Sequence, residues 1–391
     1  MHLALVTETF PPEINGVAMT LHRLVTGLAA RGHAVEVIRP RQSRADAPAG
    51  DGFSELLVPG LPLPGYPELK IGLPAYFTLH RRWSAAPPDL VHVATEGPLG
   101  LTAVRAARAL NLPVTSSFHT NFHAYSKHYG VGFVRRAGFA YLRYFHNLTR
   151  CTFAPSPDVV ATLAAAGLRN LRLLGRGVDT VLFDPSKRDD ALRSTWGAGP
   201  DTPVALYVGR LAPEKNLALV IETWAILRAA QPDWRLVLVG DGPSRRDLAA
   251  RYPEIHYAGV RRGEDLARHY ASGDLFLFAS VTETFGNVVT EALASGLVVV
   301  AYDYAAARAH VRDGENGFLA AYDDPAAIRA AALRATESRT DWPTLRHAAR
   351  VTALELSWDR IVDGFTGTVA EFLPTPMLRQ GKFCERQTLP L

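Results

Sequence analysis

The sequence predicts an α/β protein built from two successive doubly wound domains, and three observations carry that prediction. At 391 residues the chain exceeds what one core usually encloses. Short runs rich in Val, Ile and Leu alternate with helical patterns over almost the whole length, as expected for parallel strands covered on both faces by crossover helices. The strand series then starts afresh near the middle, after a stretch with no strand pattern.

Composition narrows the class. Hydrophobic residues make up 48% and charged residues 20%, as in ordinary soluble proteins. No apolar run approaches the roughly 20 residues that span a bilayer. The opening MHLALVTETF has neither a basic leader nor the apolar length of a signal peptide, which makes the cytoplasm the expected compartment. Cys151 and Cys384 are the only cysteines, and their spacing supports neither a disulfide framework nor a cysteine-based zinc site. The net charge of +4 is uneven: residues 1–186 carry 18 Lys and Arg against 12 Asp and Glu, whereas the remainder carries 24 against 26. A basic first half suits an anionic membrane or a phosphorylated acceptor, while nucleic acid lacks any binding motif or lysine-rich tail.

In chain order, HLALVT (2–7) is a strand that runs into TETFPPEINGVAMT and a helix. Gly16, at or just before that helix start, leaves room for a close approach, and nearby N–H groups can receive an anion. A plain turn glycine fits equally, since GxGxxG is absent. HAVEVIRP (33–40) is the next strand, and positions 40–67, rich in Pro, Gly and Ala, predict a long mobile excursion. DLVHVAT (89–95) and LPVTSSFH (112–119) follow, with His119 placed where a strand end faces a ligand cleft. His119, His123 and His128 are close in sequence, but without HExxH or a nearby acid a metal is the minor reading. In FVRRAGFAYLRYFHNLTR (133–150), Arg135, Arg136, Arg143, His146 and Arg150 fall on one helical arc with Phe139. Such faces are mostly just solvated. A second basic aromatic stretch, PAYFTLHRRW (74–83), keeps an anionic membrane contact open. CTFAPS (151–156) closes the first set, and positions 176–203 predict a linker.

The second set opens with PVALYVG (203–209) and LAPEKN. Arg210 and Lys215 then lie past a strand's carboxyl end, within reach of a diphosphate, and a cation at a helix start wants such an anion. RLVLVG (235–240) leads into GDGPSRRDL, where Asp241 sits in a Gly-rich turn that capping alone explains. EIHYAG (254–259) exits through Val260 and Arg261, against whose backbone a base can lie. A simple strand exit fits as well. DLFLFAS (274–280) precedes SVTETFGNVVTEALASG, which puts Glu283 in a turn, starts a helix at Phe285, Gly286 and Asn287, and sets Glu291 inside it. Helix N–H groups beside two carboxylates suit a ligand with both phosphate and hydroxyls, although a capped surface helix reads the same. LVVVAY (297–302) is the last strand of the set. A helix spans 357–373, and PTPMLRQGKFCERQTLPL has tail-like composition. With no Asp-x-Asp triplet to hold a divalent ion, charge neutralisation falls to Arg210, Lys215 and helix dipoles, so no metal cofactor is expected.

Taken together and in this order, Gly16, His119, GRLAPEKN, GDGP and the Glu283 to Glu291 pair resemble glycosyltransferase family 4, retaining enzymes of the GT-B fold. TETFPPEINGVA and FHTNF are similar to bacterial GDP-mannose-dependent alpha-mannosyltransferases, many with lipid acceptors. UDP-dependent glucosyl and sulfoquinovosyl transferases acting on diacylglycerol resemble it too. The resemblance implies an acceptor-binding domain over 1–186 with a returning helix at 357–373, a nucleotide-sugar domain over 187–356 and a flexible tail from 374. It implies that Arg210 and Lys215 hold the donor diphosphate and that Glu291 holds the ribose. Glu283 with the backbone of Phe285, Gly286 and Asn287 would grip sugar and phosphate, while Gly16 and His119 approach from the first domain. Asp241 and Val260 line the donor side. No residue matches a strong nucleophile, so front-face displacement is the implied chemistry. A sugar-nucleotide epimerase or a silent nucleotide-sugar binder shares the architecture. A phosphorylase would need a pyridoxal lysine for which no motif is present.

Overall fold

In the computed structural model, residues 1–373 are described except 14, 44, 45, 47, 49–51, 64, 65, 120–131 and 284. The expected tail lies outside the described residues, as do His123 and His128.

Two parallel sheets form the molecule. The first contains β1 (His2–Val6), β2 (Ala34–Pro40), β3 (Ser54–Val58), β6 (Leu90–Val93), β7 (Val114–Ser117), β8 (Cys151–Ala154) and β9 (Leu171–Leu173), in the order β3-β2-β1-β6-β7-β8-β9. Between β3 and β6 stands an antiparallel hairpin, β4 (Gly60–Leu63) and β5 (Tyr66–Gly72). The second sheet contains β10 (Val204–Val208), β11 (Arg235–Val239), β12 (His256–Gly259), β13 (Leu275–Phe278), β14 (Val298–Tyr302) and β15 (Gly317–Ala320), ordered β12-β11-β10-β13-β14-β15. Strand order reverses beside β1 in one sheet and beside β10 in the other, the switch points where doubly wound sheets open a crevice. All five residues of β10 and of β14 are buried, which is why those strands read as unbroken apolar runs.

Helices cover both faces. Leu21, Val25 and Leu28 of helix Gly16–Ala30 share a core with Val362, Phe365 and Val369 of helix Trp358–Ala370. The last helix thus packs on the first sheet although it follows the second. Gly27 permits the close crossing, because a Cβ there would lie 2.7 Å from Val362. Leu79, Trp83, Val104 and Phe145 cover the opposite face.

Two expectations are corrected. Positions 40–67 are not one loose excursion, since β3 pairs with β2 and the hairpin follows. The cause is a buried charge cluster: Arg39, 2% exposed, holds Asp46 at 2.7 Å and Glu55 at 2.8 Å. The hydrogen bond from Arg39 keeps the Asp46 carboxyl below its usual range. The 176–203 segment does connect the two sheets without a strand, as expected, and what the sequence left out is its packing, with helix Asp190–Thr195 inside it and Val178, Phe183, Trp196 and Ala198 entering the second core. Finally, His146 is absent from the exposed basic face of helix Gly132–Asn147. It is fully buried and contacts Ser116 Oγ at 2.9 Å and Glu96 at 3.2 Å, while Arg136 and Arg143 remain exposed. Arg150 lies beyond the helix end.

Candidate active site

Segments leaving the carboxyl ends of β1, β7, β9, β10 and β13 converge. After β10, a short turn of 3₁₀ helix, Pro213–Lys215, points Lys215 toward the loop that follows β13. Its Nζ donates to Glu283 Oε1 at 2.5 Å and to the Thr282 carbonyl at 3.3 Å. The Glu283 carboxylate also accepts from Ser280 Oγ at 2.8 Å, and the Glu283 carbonyl accepts from Tyr304 OH at 2.8 Å. Both side chains of the Lys215–Glu283 pair are mostly enclosed, 18% and 16% exposed, so bulk water screens them weakly. A lysine beside the helix that starts at Asn287 is thereby held with its charge balanced.

Helix Asn287–Ala294 begins behind Gly286, whose φ of 91° is left-handed and which offers no side-chain cap. The early N–H groups of such a helix have no intrahelical acceptor and attract anions. Phe285 is buried, and its carbonyl is taken by the Ala306 N–H at 2.7 Å. One turn in, Glu291 accepts from Tyr270 OH at 2.8 Å. Burial pushes the Glu291 carboxyl up to about 7, the tyrosine bond only partly opposing it.

From the first sheet, Gly16 starts the helix whose cap is Asn15, with Oδ1 accepting from the N–H of Val17 at 3.0 Å and of Ala18 at 2.8 Å. A Cβ on Gly16 would sit 3.8 Å from Arg176 Nη1, an ordinary contact, so packing among the described residues does not demand glycine. His119, just past β7, has both ring nitrogens enclosed and without a partner among the described residues. Burial, with the charge of Arg176, holds it well below the usual histidine range, hence neutral at pH 7.

The structure thus brings Lys215, Glu283 and the start at Phe285, Gly286 and Asn287 into one site, with Gly16 and His119 reaching it through Arg176. It does not bring four other predicted residues into hydrogen-bond contact with that centre. Arg210 is 66% exposed and only 3.4 Å from Glu214. Asp241 caps its own turn, accepting from the Gly242 N–H at 2.7 Å and from Arg245 at 3.0 Å. Val260 is an exposed strand exit. Glu291 stands apart with Tyr270. Asp241, Val260 and Glu291 each follow strands of the second sheet, or lie on the helix after one, and so border the same crevice edge. Among the described residues no His, Cys, Asp and Glu group is arranged to hold a metal ion.

Sequence reasoning missed two residues. Arg176 is 7% exposed and stacks over the Phe285 ring at 5.8 Å. It follows β9, a strand of three residues, and recognising that strand would have set Arg176 at a carboxyl end. Tyr270 carried no signal, since an aromatic residue on a helix usually reads as core.

Comparison with known proteins gives the family. The family described as Glycosyltransferase Family 4 matches residues 14–182, and Glycosyl transferases group 1 matches residues 202–338. A GDP-mannose-dependent alpha-mannosyltransferase of Mycolicibacterium smegmatis is 36% identical over 386 residues, covering 97% of this chain and 100% of that one. An alpha-monoglucosyldiacylglycerol synthase of Streptococcus pneumoniae is 26% identical over 77% of this chain and 71% of its own length. In three dimensions the chain resembles Anabaena Alr3699/HepE, solved in complex with UDP, with a TM-score of 0.74, 18% identity and coverage of 95% and 100% of the two chains. Two facing parallel sheets, a site at their carboxyl ends and a full-length match at this identity have one consequence: the chain belongs to glycosyltransferase family 4 and is a glycosyltransferase of the GT-B fold.

Proposed function

We propose that the protein transfers mannose from GDP-mannose, with retention of configuration and without a metal, to a hydroxyl of a lipid or glycan acceptor. The observation that supports transfer at this site is the enclosed Lys215–Glu283 pair, set beside an uncapped helix start and faced by Gly16, Arg176 and His119. The donor assignment leans on the similarity to the mycobacterial mannosyltransferase.

In this reading Lys215 and Arg210 take the diphosphate, the helix start at Gly286 and Asn287 adds its N–H groups, and Glu283 accepts hydroxyls of the transferred hexose. Glu291 grips the ribose, with Tyr270 fixing its rotamer. Asp241 and Val260 border the base and sugar. Neutral His119 hydrogen-bonds the hexose near its reacting carbon. As the C1–O bond to phosphate breaks, negative charge grows on the departing diphosphate, and fixed cations and dipoles stabilise that charge more than the ground state. The acceptor oxygen attacks the same face, and its proton passes to the leaving phosphate oxygen. Residues 1–186 would carry the acceptor, and 187–356 the donor. Their closure would exclude water, the competing acceptor.

A UDP-sugar glycolipid synthase is the second reading, favoured by the similarity to the pneumococcal synthase. Thermal-shift titration with GDP-mannose, UDP-glucose and UDP-sulfoquinovose separates the two, because a bound donor raises the melting temperature by mass action. GDP-mannose is expected to give the largest shift. A larger shift with either UDP-sugar would transfer the assignment to the second reading.

A further inference from the structure

We propose that Arg176 is a further catalytic residue, its guanidinium contacting the donor phosphate that carries the transferred sugar. This rests on the reading of the site given above.

The argument starts from cost. A guanidinium removed from water must recover its lost hydration through partners, and an uncompensated buried charge is among the most unfavourable groups a core can hold. Arg176 is 7% exposed, and its Nε and Nη2 have no hydrogen-bond partner among the described residues. Burial pushes it down to about 10, which still leaves it charged at neutral pH. The carboxylate whose field reaches it, Glu283, is already committed to Lys215 at 2.5 Å and Ser280 at 2.8 Å. By contrast, other buried arginines have a carboxylate of their own: Arg39 binds two, and Arg193, although its Nε has no partner among the described residues, bonds Asp274 and four backbone carbonyls through Nη1 and Nη2.

Position names the missing partner. Arg176 lies over Phe285, the residue before the Gly286 cap, and its Nη1 approaches Gly16 at the start of the other helix. It therefore stands between two helix N-termini, one from each sheet, both favouring negative charge. A planar fork of donors in such a place suits phosphate oxygens better than an ammonium would. His119 beside it is neutral and adds no negative charge. An arginine that interacts more strongly with phosphate as the sugar leaves contributes mainly to turnover.

The test compares wild type with Arg176→Met and Arg176→Lys, measuring melting temperature without ligand, GDP affinity by calorimetry, and the kcat and KM for GDP-mannose. Arg176→Met is expected to melt at or above the wild-type temperature, because an uncompensated charge is removed. It should bind GDP roughly 10-fold more weakly and turn over on the order of 100-fold more slowly, the scale of one lost transition-state donor, with Lys restoring part of both. GDP affinity and kcat equal to wild type in a folded Arg176→Met would overturn the proposal. So would unchanged GDP affinity with a raised KM for acceptor alone, which would move Arg176 to an acceptor phosphate. A variant that melts far lower and recovers full activity with Lys would instead mark a purely structural arginine. If wild type binds neither GDP nor GDP-mannose, the donor reading fails and takes this proposal with it, an outcome distinct from loss of the arginine effect alone.

Discussion

At the scale of single residues, the site depends on which charges are compensated before a ligand arrives. Lys215 and Glu283 neutralise each other, and Asp241 is spent on its own turn. Glu291 is different: burial holds its carboxyl near pH 7 in the folded protein, above its usual range. A carboxyl raised in this way stabilises the fold at low pH, and that contribution disappears as pH climbs through about 7. In the proposed reading, ligand binding runs the opposite way, because the ionised form is the better acceptor of two ribose hydroxyls. Affinity for a nucleotide sugar, whose diphosphate is doubly esterified and does not titrate here, should therefore rise several-fold from about pH 6 to about pH 8. Calorimetry across that range checks it. Glu291→Gln should flatten the profile, and a flat profile in wild type would remove Glu291 from the ribose contact. The local placement of Lys215, of Glu283 in its turn and of Glu291 inside the following helix was legible because strand, turn and helix start fix those positions locally. Arg176 was not, because its burial arises only when two distant sheets meet around it.

At the scale of elements, strong apolar strands with helices between them were legible throughout, whereas β3, β9 and β15 were not. Those strands have three to five residues and lie at sheet edges, where periodicity has too few positions to register. The basic helix Gly132–Asn147 shows the same limit in reverse, since its arc correctly exposes Arg136 and Arg143 but wrongly includes His146, which tertiary hydrogen bonds draw inward. Helix Tyr76–Ala85 contributes Leu79 and Trp83 to the core that also contains Phe145, so both helices cover one face of the first sheet. Phe77, 85% exposed, with Arg81, and Tyr144 with Arg143, project from that cover. No helix among the described residues is long and apolar enough to cross a membrane. Weak, salt-reversible association with anionic vesicles is the expected behaviour of this surface. Sedimentation with anionic and neutral vesicles checks it, and equal binding to both would show that the basic face plays no part.

At the scale of the whole molecule, the chain passes from the first sheet to the second near Val178 and returns near Ser357. The two crossings are bonded to each other, with the Val178 N–H donating to the Leu356 carbonyl at 2.9 Å. Gly177 makes this junction possible, because a Cβ there would lie 2.7 Å from the Trp358 ring. Both crossings thus form one joint between the sheets. Ion pairs reach across as well, with Arg308 2.9 Å from Asp158 and Arg23 2.7 Å from Asp179, though exposed pairs of this kind contribute only about 0–1 kcal/mol each. Two doubly wound units were legible from the restarted strand series. The paired crossings were not, because residues 176–178 and 356–358 lie far apart in sequence. The central claim, metal-independent retaining transfer from a nucleotide sugar held between the sheets, is tested most directly by one measurement. The product made from GDP-mannose in the presence of EDTA is isolated and its anomeric configuration read by NMR. An alpha-linked mannoside formed at the rate seen without EDTA is the predicted result. A beta-linked product, or activity abolished by EDTA and restored by magnesium, would contradict it.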